Sequence, residues 1–173
     1  MRILRREVGL AVLAGFLTVL LSAPLYGQTA ARLEAMLDKP GVNWKEAAAF
    51  VLEAAETAAY DDKANLIEPW PWAETDPLQA FAFAADQKWL PKNAAPEDTA
   101  KLGGVALLLM QSFGLKGGIF YNIAKSPHYA YRELVYKRVI RGDTDPDTPV
   151  SGRDLLLMVS RLLSVKEARE AAE

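Results

Sequence analysis

Residues 107–110 read Leu-Leu-Leu-Met, and the same four residues return as Leu155-Leu156-Leu157-Met158, 48 positions later. Each surrounding segment, 80–113 and 128–162, reads as a helix, a proline-containing loop and a second helix. Self-similarity at a fixed separation is typical of stacked helical units, none of which buries its apolar face alone. The alternative is a chance likeness between two leucine-rich helices.

Helix starts are marked by capping residues along the rest of the chain. Asn43 is followed by Glu46, Asp76 and Ser126 are each followed by proline, and Ser151 precedes Asp154. These patterns satisfy the free amides of a helix N-terminus. They predict an all-α protein, a small orthogonal helical bundle. Its helices are expected at 31–37, 44–60, 77–87, 99–113, 127–139 and 152–163.

Two glycines interrupt the first turns of the helix predicted at 99–113. Gly103 and Gly104 each cost about 1 kcal/mol relative to alanine inside a helix. We therefore expect another part of the chain to pack closely against them.

The composition is that of a globular protein. The chain has 173 residues, of which 51% are hydrophobic and 24% charged, as in ordinary soluble domains. It has no cysteine, which excludes disulfides, thiolate zinc sites and thiol nucleophiles. The net charge of −2, with basic residues scattered among acids, disfavours a nucleic-acid partner.

The N-terminal segment predicts export from a bacterial cytoplasm. Arg2, Arg5 and Arg6 precede an uncharged run of 14 residues, 8–21, and small residues follow up to Gly27. This is the layout of a secretory signal peptide, with cleavage expected after Gly27. The alternative is that the segment is retained as a membrane anchor, although a membrane-spanning helix requires about 20 apolar residues. The expected location is the periplasm or cell envelope, with no membrane span after cleavage.

The predicted domain organisation follows from these signals. Residues 1–27 form the signal peptide, and 28–164 form one helical domain with N-terminal helices in 28–76 and two repeats in 77–164. Residues 165–173 form a charged, frayed tail.

A family resemblance rests on residues 136–157. Ile140, Gly142, Asp145 and Pro146 form an aliphatic-glycine turn and an acidic loop with proline, and residues 150–155, Val-Ser-Gly-Arg-Asp-Leu, form a helix start. The segment resembles the S-layer homology module, and the likeness extends over about residues 77–164. Gly152 stands where that motif has arginine, which makes this a diverged module. The resemblance implies a helical scaffold and, as the family's ligand, a cell-wall polymer.

Aromatic and basic residues are the candidate binding groups. Residues 69–72, Pro-Trp-Pro-Trp, form either an exposed aromatic platform or a cap on the end of the helical core. Aromatics and arginines dominate interface energetics. The predicted binding surface comprises Trp70, Trp72, Trp89, Lys88, Arg132, Arg138 and Arg153.

Catalytic signatures are missing from the sequence. His128 has no legible nucleophile or orienting acid beside it. Asp143, Asp145 and Asp147 alternate as in calcium loops, but the central glycine and closing glutamate are missing, which favours an acidic helix-joining loop. Neither a metal nor a cofactor is expected.

The sequence therefore predicts an exported, non-enzymatic binding or structural module that contacts an envelope protein or cell-wall polymer. A subunit of a larger envelope assembly, with apolar faces of 44–60 and 99–113 partly exposed, is one alternative. A small wall hydrolase using Glu68, Glu74 or Asp76 is another.

Overall fold

A computed structural model of the chain describes residues 33–61, 76–142 and 145–170. The predicted signal segment, Trp70, Trp72, Glu68, Glu74, Asp143 and the last three residues of the predicted tail lie outside these ranges. The chain divides into two compact units, Met1–Asp38 and Lys39–Glu173. In the first unit, the described residues form the short helix α1 at 33–37, whose last turn continues in a bond from the Asp38 N–H to the Glu34 carbonyl at 3.2 Å.

The second unit is a small all-α bundle, as predicted. Isolated bridges join Asn43 to Thr99 and Lys101 to Pro149, and the described residues include no strand. Its helices are α2 Trp44–Asp61, α3 Pro77–Asp86, α4 Leu102–Ser112, α5 Ile119–Ile123, α6 Pro127–Tyr136 and α7 Gly152–Glu170.

All four predicted helix caps are formed. The Asn43 side chain accepts the Glu46 N–H at 3.0 Å while the Glu46 carboxylate accepts the Asn43 N–H at 3.3 Å, which completes a capping box. Asp76 accepts from the Leu78 amide, Ser126 from the Tyr129 amide and Ser151 from the Asp154 amide. The local sequence therefore determines where these helices begin.

Helix α4 lies at the centre of the unit, and every residue from Leu102 to Met110 is buried. The most extensive contacts pair α4 with α6 and α2 with α3, and α2 also packs on α4 and α7. The pair of α4 and α6 thus joins the second helix of the first predicted segment to the first helix of the second.

The close packing expected at the two glycines is present. A Cβ on Gly104 would collide with the indole of Trp44 and lie 2.8 Å from Cγ of Pro91. A Cβ on Gly103 would lie 3.1 Å from Cβ of Pro146. The glycines let α4 approach the helix and loops that surround it.

Three short segments meet in a closed ring of backbone hydrogen bonds, the backbone ring. Val42 donates to the Val150 carbonyl at 2.9 Å, Val150 to the Ala100 carbonyl at 3.0 Å, and Ala100 to the Val42 carbonyl at 2.8 Å. Each of these buried residues stands two positions before a long helix, α2, α4 or α7. The N-termini of these three helices therefore converge at one place.

Several structural features recur at a separation of 50 residues, whereas the leucine match has a separation of 48. Caps Asp76 and Ser126 stand 50 positions apart, and so do Lys88 and Arg138, which both have φ of 59°. The same separation relates Ala100 to Val150 in the backbone ring. Matching residues 107–110 to 155–158 at a separation of 48 is therefore wrong by two residues.

Several predicted helix boundaries also change. Helix α4 begins at Leu102 rather than 99, because residues 99–101 are bridged to neighbouring segments. Helix α6 ends at Tyr136, since the chain turns sharply there and the Val139 amide bonds the Leu134 carbonyl. Helix α7 extends to Glu170, so most of the tail predicted to fray is helical.

Helix α3 buries few residues, and α5 was not among the predicted helices. Ala80 and Ala84 are the buried residues of α3, whereas Phe81 is half-buried and Ala85 is exposed. The segment Gly117-Gly118 leads directly into α5.

Candidate functional site

The candidate site lies where the backbone ring passes into the helices, at three junctions between a helix start and a neighbouring loop. At the first junction, Trp44 donates its amide to the Asp98 carbonyl at 3.1 Å and Lys45 donates to the Pro96 carbonyl at 3.1 Å. The Lys45 ammonium also pairs with Glu97 of that loop at 2.5 Å.

The second junction repeats this arrangement. The Leu102 amide donates to the Thr148 carbonyl at 2.9 Å, and the Gly103 amide donates to the Pro146 carbonyl at 2.7 Å. An ion pair again joins helix start and loop, here between Lys101 and Asp147 at 3.2 Å. Both ion pairs are solvent-exposed, so each adds at most about 1 kcal/mol to stability.

The third junction, formed by Lys39, Gly152 and Arg153, has a different charge pattern. The Gly152 amide donates to the Lys39 carbonyl at 3.0 Å, which places the start of α7 beside the loop before Val42. Lys39 stands three residues before its ring residue, the position that the acids Glu97 and Asp147 occupy in the other loops.

Arg153 stands three residues after its ring residue, as Lys45 does at the first junction. Its side chain is exposed and pairs with no acid in the part of the chain that the structure describes. The acid next to it in the sequence, Asp154, accepts the Ser151 hydroxyl at 2.6 Å, and Glu46 binds Lys39 of the same junction.

The residues of the predicted binding surface occupy separate elements. Lys88 and Trp89 follow α3, Arg132 lies on α6 and Arg138 follows it, and Arg153 lies in the first turn of α7. Helices α3 and α6 pack mainly on different partners, α2 and α4. The described members of the predicted set thus lie on different elements, and Arg153 is the member that lies at the junctions.

Trp89 packs against its own helix. Its ring meets Phe83 edge-on at a centroid distance of 5.5 Å, and the residue is half-buried. Such edge-to-face pairs stabilise cores. Lys88, in contrast, is exposed, as are Arg132 and Arg138.

The side chains considered for acid–base or metal chemistry make contacts within the fold. His128 is exposed and lies edge-on to the ring of Tyr129 at 5.4 Å. Asp145 accepts the Asp147 amide at 2.8 Å, and Asp147 pairs with Lys101. Asp76 caps α3. Over the described ranges, no three His, Asp or Glu side chains converge as a metal site would require.

The structure bears on the two alternatives to a binding module, the assembly subunit and the wall hydrolase. The assembly-subunit hypothesis expected exposed apolar faces on 44–60 and 99–113, but residues 102–110 are buried, as are most apolar residues of α2 whose burial is described. Of the residues that the hydrolase hypothesis named, Asp76 serves as a helix cap, and Glu68 and Glu74 lie outside the described residues.

The sequence reasoning missed the backbone ring and the junctions. A signal for them exists, because residues 96–101, Pro-Glu-Asp-Thr-Ala-Lys, and 146–151, Pro-Asp-Thr-Pro-Val-Ser, align at a separation of 50. The leucine match at a separation of 48 residues is the more conspicuous of the two, so the alignment at 50 residues was not recognised.

Among the described residues, no helix is long and apolar enough to cross a membrane. Comparison of the chain with protein-family models, curated proteins and solved structures finds no match.

Proposed function

We propose that this protein is an exported cell-envelope module, a diverged relative of the S-layer homology module, that binds an anionic cell-wall polymer. Three lines support the proposal: the signal-like residues 1–27, the resemblance carried by residues 136–157, and the third junction. The observation that carries it is the exposed Arg153, which has no acidic partner in the described structure, whereas the equivalent Lys45 is paired.

Arginine suits this task because its planar guanidinium forms paired hydrogen bonds with carboxylate or phosphate groups. A polymer carrying such groups would supply the acid that is missing at position 39, where the loops of the other two junctions have Glu97 and Asp147. Lys39 lies beside it and adds positive charge, although Glu46 holds its ammonium group. The module has a binding role here and needs no catalytic group.

The test is sedimentation of the purified protein with bacterial wall sacculi, before and after chemical removal of their anionic polymers. Wild-type protein is expected to sediment only with polymer-bearing sacculi. Arg153→Gln should weaken binding about tenfold, because a charge-assisted hydrogen bond contributes roughly 1.5–3 kcal/mol. Lys101→Gln, which removes a similarly exposed cation at the second junction, is the matched control. Binding that persists after polymer removal, or that Arg153→Gln leaves unchanged, would contradict the proposal.

Export is tested separately. Fractionation of the native bacterium is expected to recover the protein outside the cytoplasm, and sequencing its N-terminus should give Gln28 as the first residue. A cytoplasmic protein that retains Met1 would refute the envelope assignment regardless of the sedimentation result.

A further inference from the structure

The most exposed large apolar side chains of the described structure lie on α5 and at the end of α6. Four residues form this apolar ridge: Ile119 is 75% exposed, Phe120 71%, Ile123 79% and Tyr136 85%. The next most exposed large apolar residue, Leu78 on α3, reaches 48%. A cluster this exposed marks a surface that contacts something other than water.

Specific contacts hold α5 in place against α6. The Gly118 amide donates to the Glu133 carboxylate at 2.8 Å, and the ring of Phe120 stacks on Tyr129 at a centroid distance of 6.0 Å. On the inner side, Tyr121 is buried and its hydroxyl accepts from the Gln111 side-chain amide at 2.9 Å. With Tyr121 anchored inside, Ile119, Phe120 and Ile123 remain outside.

Tyr136 belongs to the same surface by helical spacing. Residues 129, 133 and 136 follow one another at intervals of four and three, so they line one face of α6. The first two hold α5, and Tyr136 continues the stripe. Tyr136 therefore lies on the face of α6 that holds α5.

The chain around the ridge is strongly basic. Residues 115–141 contain six basic residues and one acid, a net charge of +5 in a chain whose overall charge is −2. The expectation that basic residues are scattered among acids is wrong for this segment. The one acid, Glu133, is engaged by the Gly118 amide. The basic residues are Lys116, Lys125, Arg132, Lys137, Arg138 and Arg141.

Three of these cations are neighbours of the ridge residues in the chain or on α6. Lys116 and Lys125 flank α5 in the chain, and Arg132 lies between Tyr129 and Tyr136 on α6. All three are exposed, and none is paired with an acid within the described ranges. Apolar side chains rimmed by cations are the composition of proteins that lie in the interface of an anionic bilayer.

We propose that the apolar ridge docks onto the surface of an anionic lipid bilayer. Ile119, Phe120 and Ile123 enter the boundary between headgroups and acyl chains, while Lys116, Lys125 and Arg132 face the lipid phosphates. A soluble polyanion would leave the apolar side chains in water. A second copy of this chain docked symmetrically would bring two surfaces of like charge together. This membrane-surface role uses residues separate from the third junction.

The absence of cysteine allows a site-specific test. Ile123→Cys in the full chain is labelled with an environment-sensitive fluorophore and mixed with vesicles of phosphatidylglycerol and phosphatidylcholine, or of phosphatidylcholine alone. Leu78→Cys, on α3, is the matched control. The label reports its own surroundings, so attachment of the chain through the apolar residues 8–21 does not by itself produce a signal.

The expected result is a blue shift at position 123, with quenching by nitroxide-labelled lipid, on anionic vesicles only. Position 78 should keep its aqueous emission. Adding Lys116→Gln, Lys125→Gln and Arg132→Gln should raise the lipid concentration needed for half-maximal response at least tenfold, and Lys92→Gln should not. Higher salt should weaken the response.

Four results would overturn the proposal. The first is aqueous emission from the label at position 123 on anionic vesicles. The second is an equal emission shift at positions 78 and 123. A shift without lipid that grows with protein concentration would identify a second copy as the occupant. A shift without lipid at every concentration would show that another part of the chain covers the ridge.

Discussion

The backbone amide of Val42 donates to the carbonyl of Val150 at 2.9 Å, although the two residues are 108 positions apart in the chain. Ala100 closes the ring between them, which ties the starts of α2, α4 and α7 together. Because all three residues are buried, breaking any of these bonds leaves polar backbone groups without water.

The backbone ring predicts a shared pattern of amide hydrogen exchange. The amides of Val42, Ala100 and Val150 should exchange only through global unfolding, at one common free energy, because none of them opens without the others. The amides of Asn122 on the exposed helix α5 and of Ala124 directly after it should exchange much faster. Native-state exchange followed by NMR at increasing denaturant measures this. Rapid exchange at one ring residue alone would show that the ring is not cooperative.

Gly104→Ala should destabilise the protein by about 2 kcal/mol. The new methyl group meets the Trp44 indole and Pro91, and such overpacking costs typically 1–3 kcal/mol, more than the gain in helix propensity. Gly41→Ala is the control, since its Cβ would lie 3.7 Å from Cγ2 of Thr99, an ordinary contact. Urea unfolding gives both values. If Trp44 is the obstacle, combining Gly104→Ala with Trp44→Leu should cost less than the sum of the two single changes.

The three long helices differ in how their N-termini are capped. Asn43→Ala removes a capping box and should cost about 1 kcal/mol, with a similar cost for Ser151→Ala. Lys101, at the start of α4, has extended backbone but provides no side-chain cap. Lys101→Ser should therefore stabilise the protein by about 0.5–1 kcal/mol, since the lost surface ion pair contributes little. A loss of stability in Lys101→Ser would mean that the pair with Asp147 outweighs the cap.

Burial raises the pKa of Tyr121 to about 12; the hydrogen bond from Gln111 opposes this shift and the charge of Glu133 adds to it. In the unfolded chain the group titrates near 10. Its contribution to stability is thus fully present below about pH 10 and is lost as the pH rises toward 12. By pH 11.5 the loss should reach about 2 kcal/mol, at roughly 1.4 kcal/mol per pKa unit.

Tyr121→Phe should remove the loss of stability between about pH 10 and 12 that the Tyr121 hydroxyl causes, although the substitution also removes the hydrogen bond with Gln111. Tyr136→Phe, at an exposed tyrosine, should retain it. The measurement is the free energy of unfolding at pH 9 and pH 11.5 for the three proteins. Equal losses in all three would show that Tyr121 ionises as freely as an exposed tyrosine.

Much of the fold was predictable because its signals are local. Asn43, Asp76, Ser126 and Ser151 cap helices as expected, since each acts on amides two or three residues away. The glycine pair in α4 also indicated close packing, because its cost in helix propensity calls for a compensating contact. The sequence could not say which side chain makes that contact.

The candidate site was less predictable. Arg153 was among the proposed binding residues, but its distinguishing property, an unpaired position equivalent to that of Lys45, depends on loops distant in the chain. The apolar ridge was missed because Tyr121 and Ile123 read equally well as core residues. Only the packing of α5 on α6 buries the first and exposes the second.

The sequence by itself determined the helical class, the capped helix starts and the charge of each segment, because these depend on neighbours within one or two turns. Tertiary structure alone decided the register of the repeat, the meeting of Val42, Ala100 and Val150, and which cations stay unpaired. Hydrogen bonds between distant backbone segments carry no side-chain signature, since any residue except proline can donate them. Helix starts could therefore be read from the sequence, whereas their convergence could not.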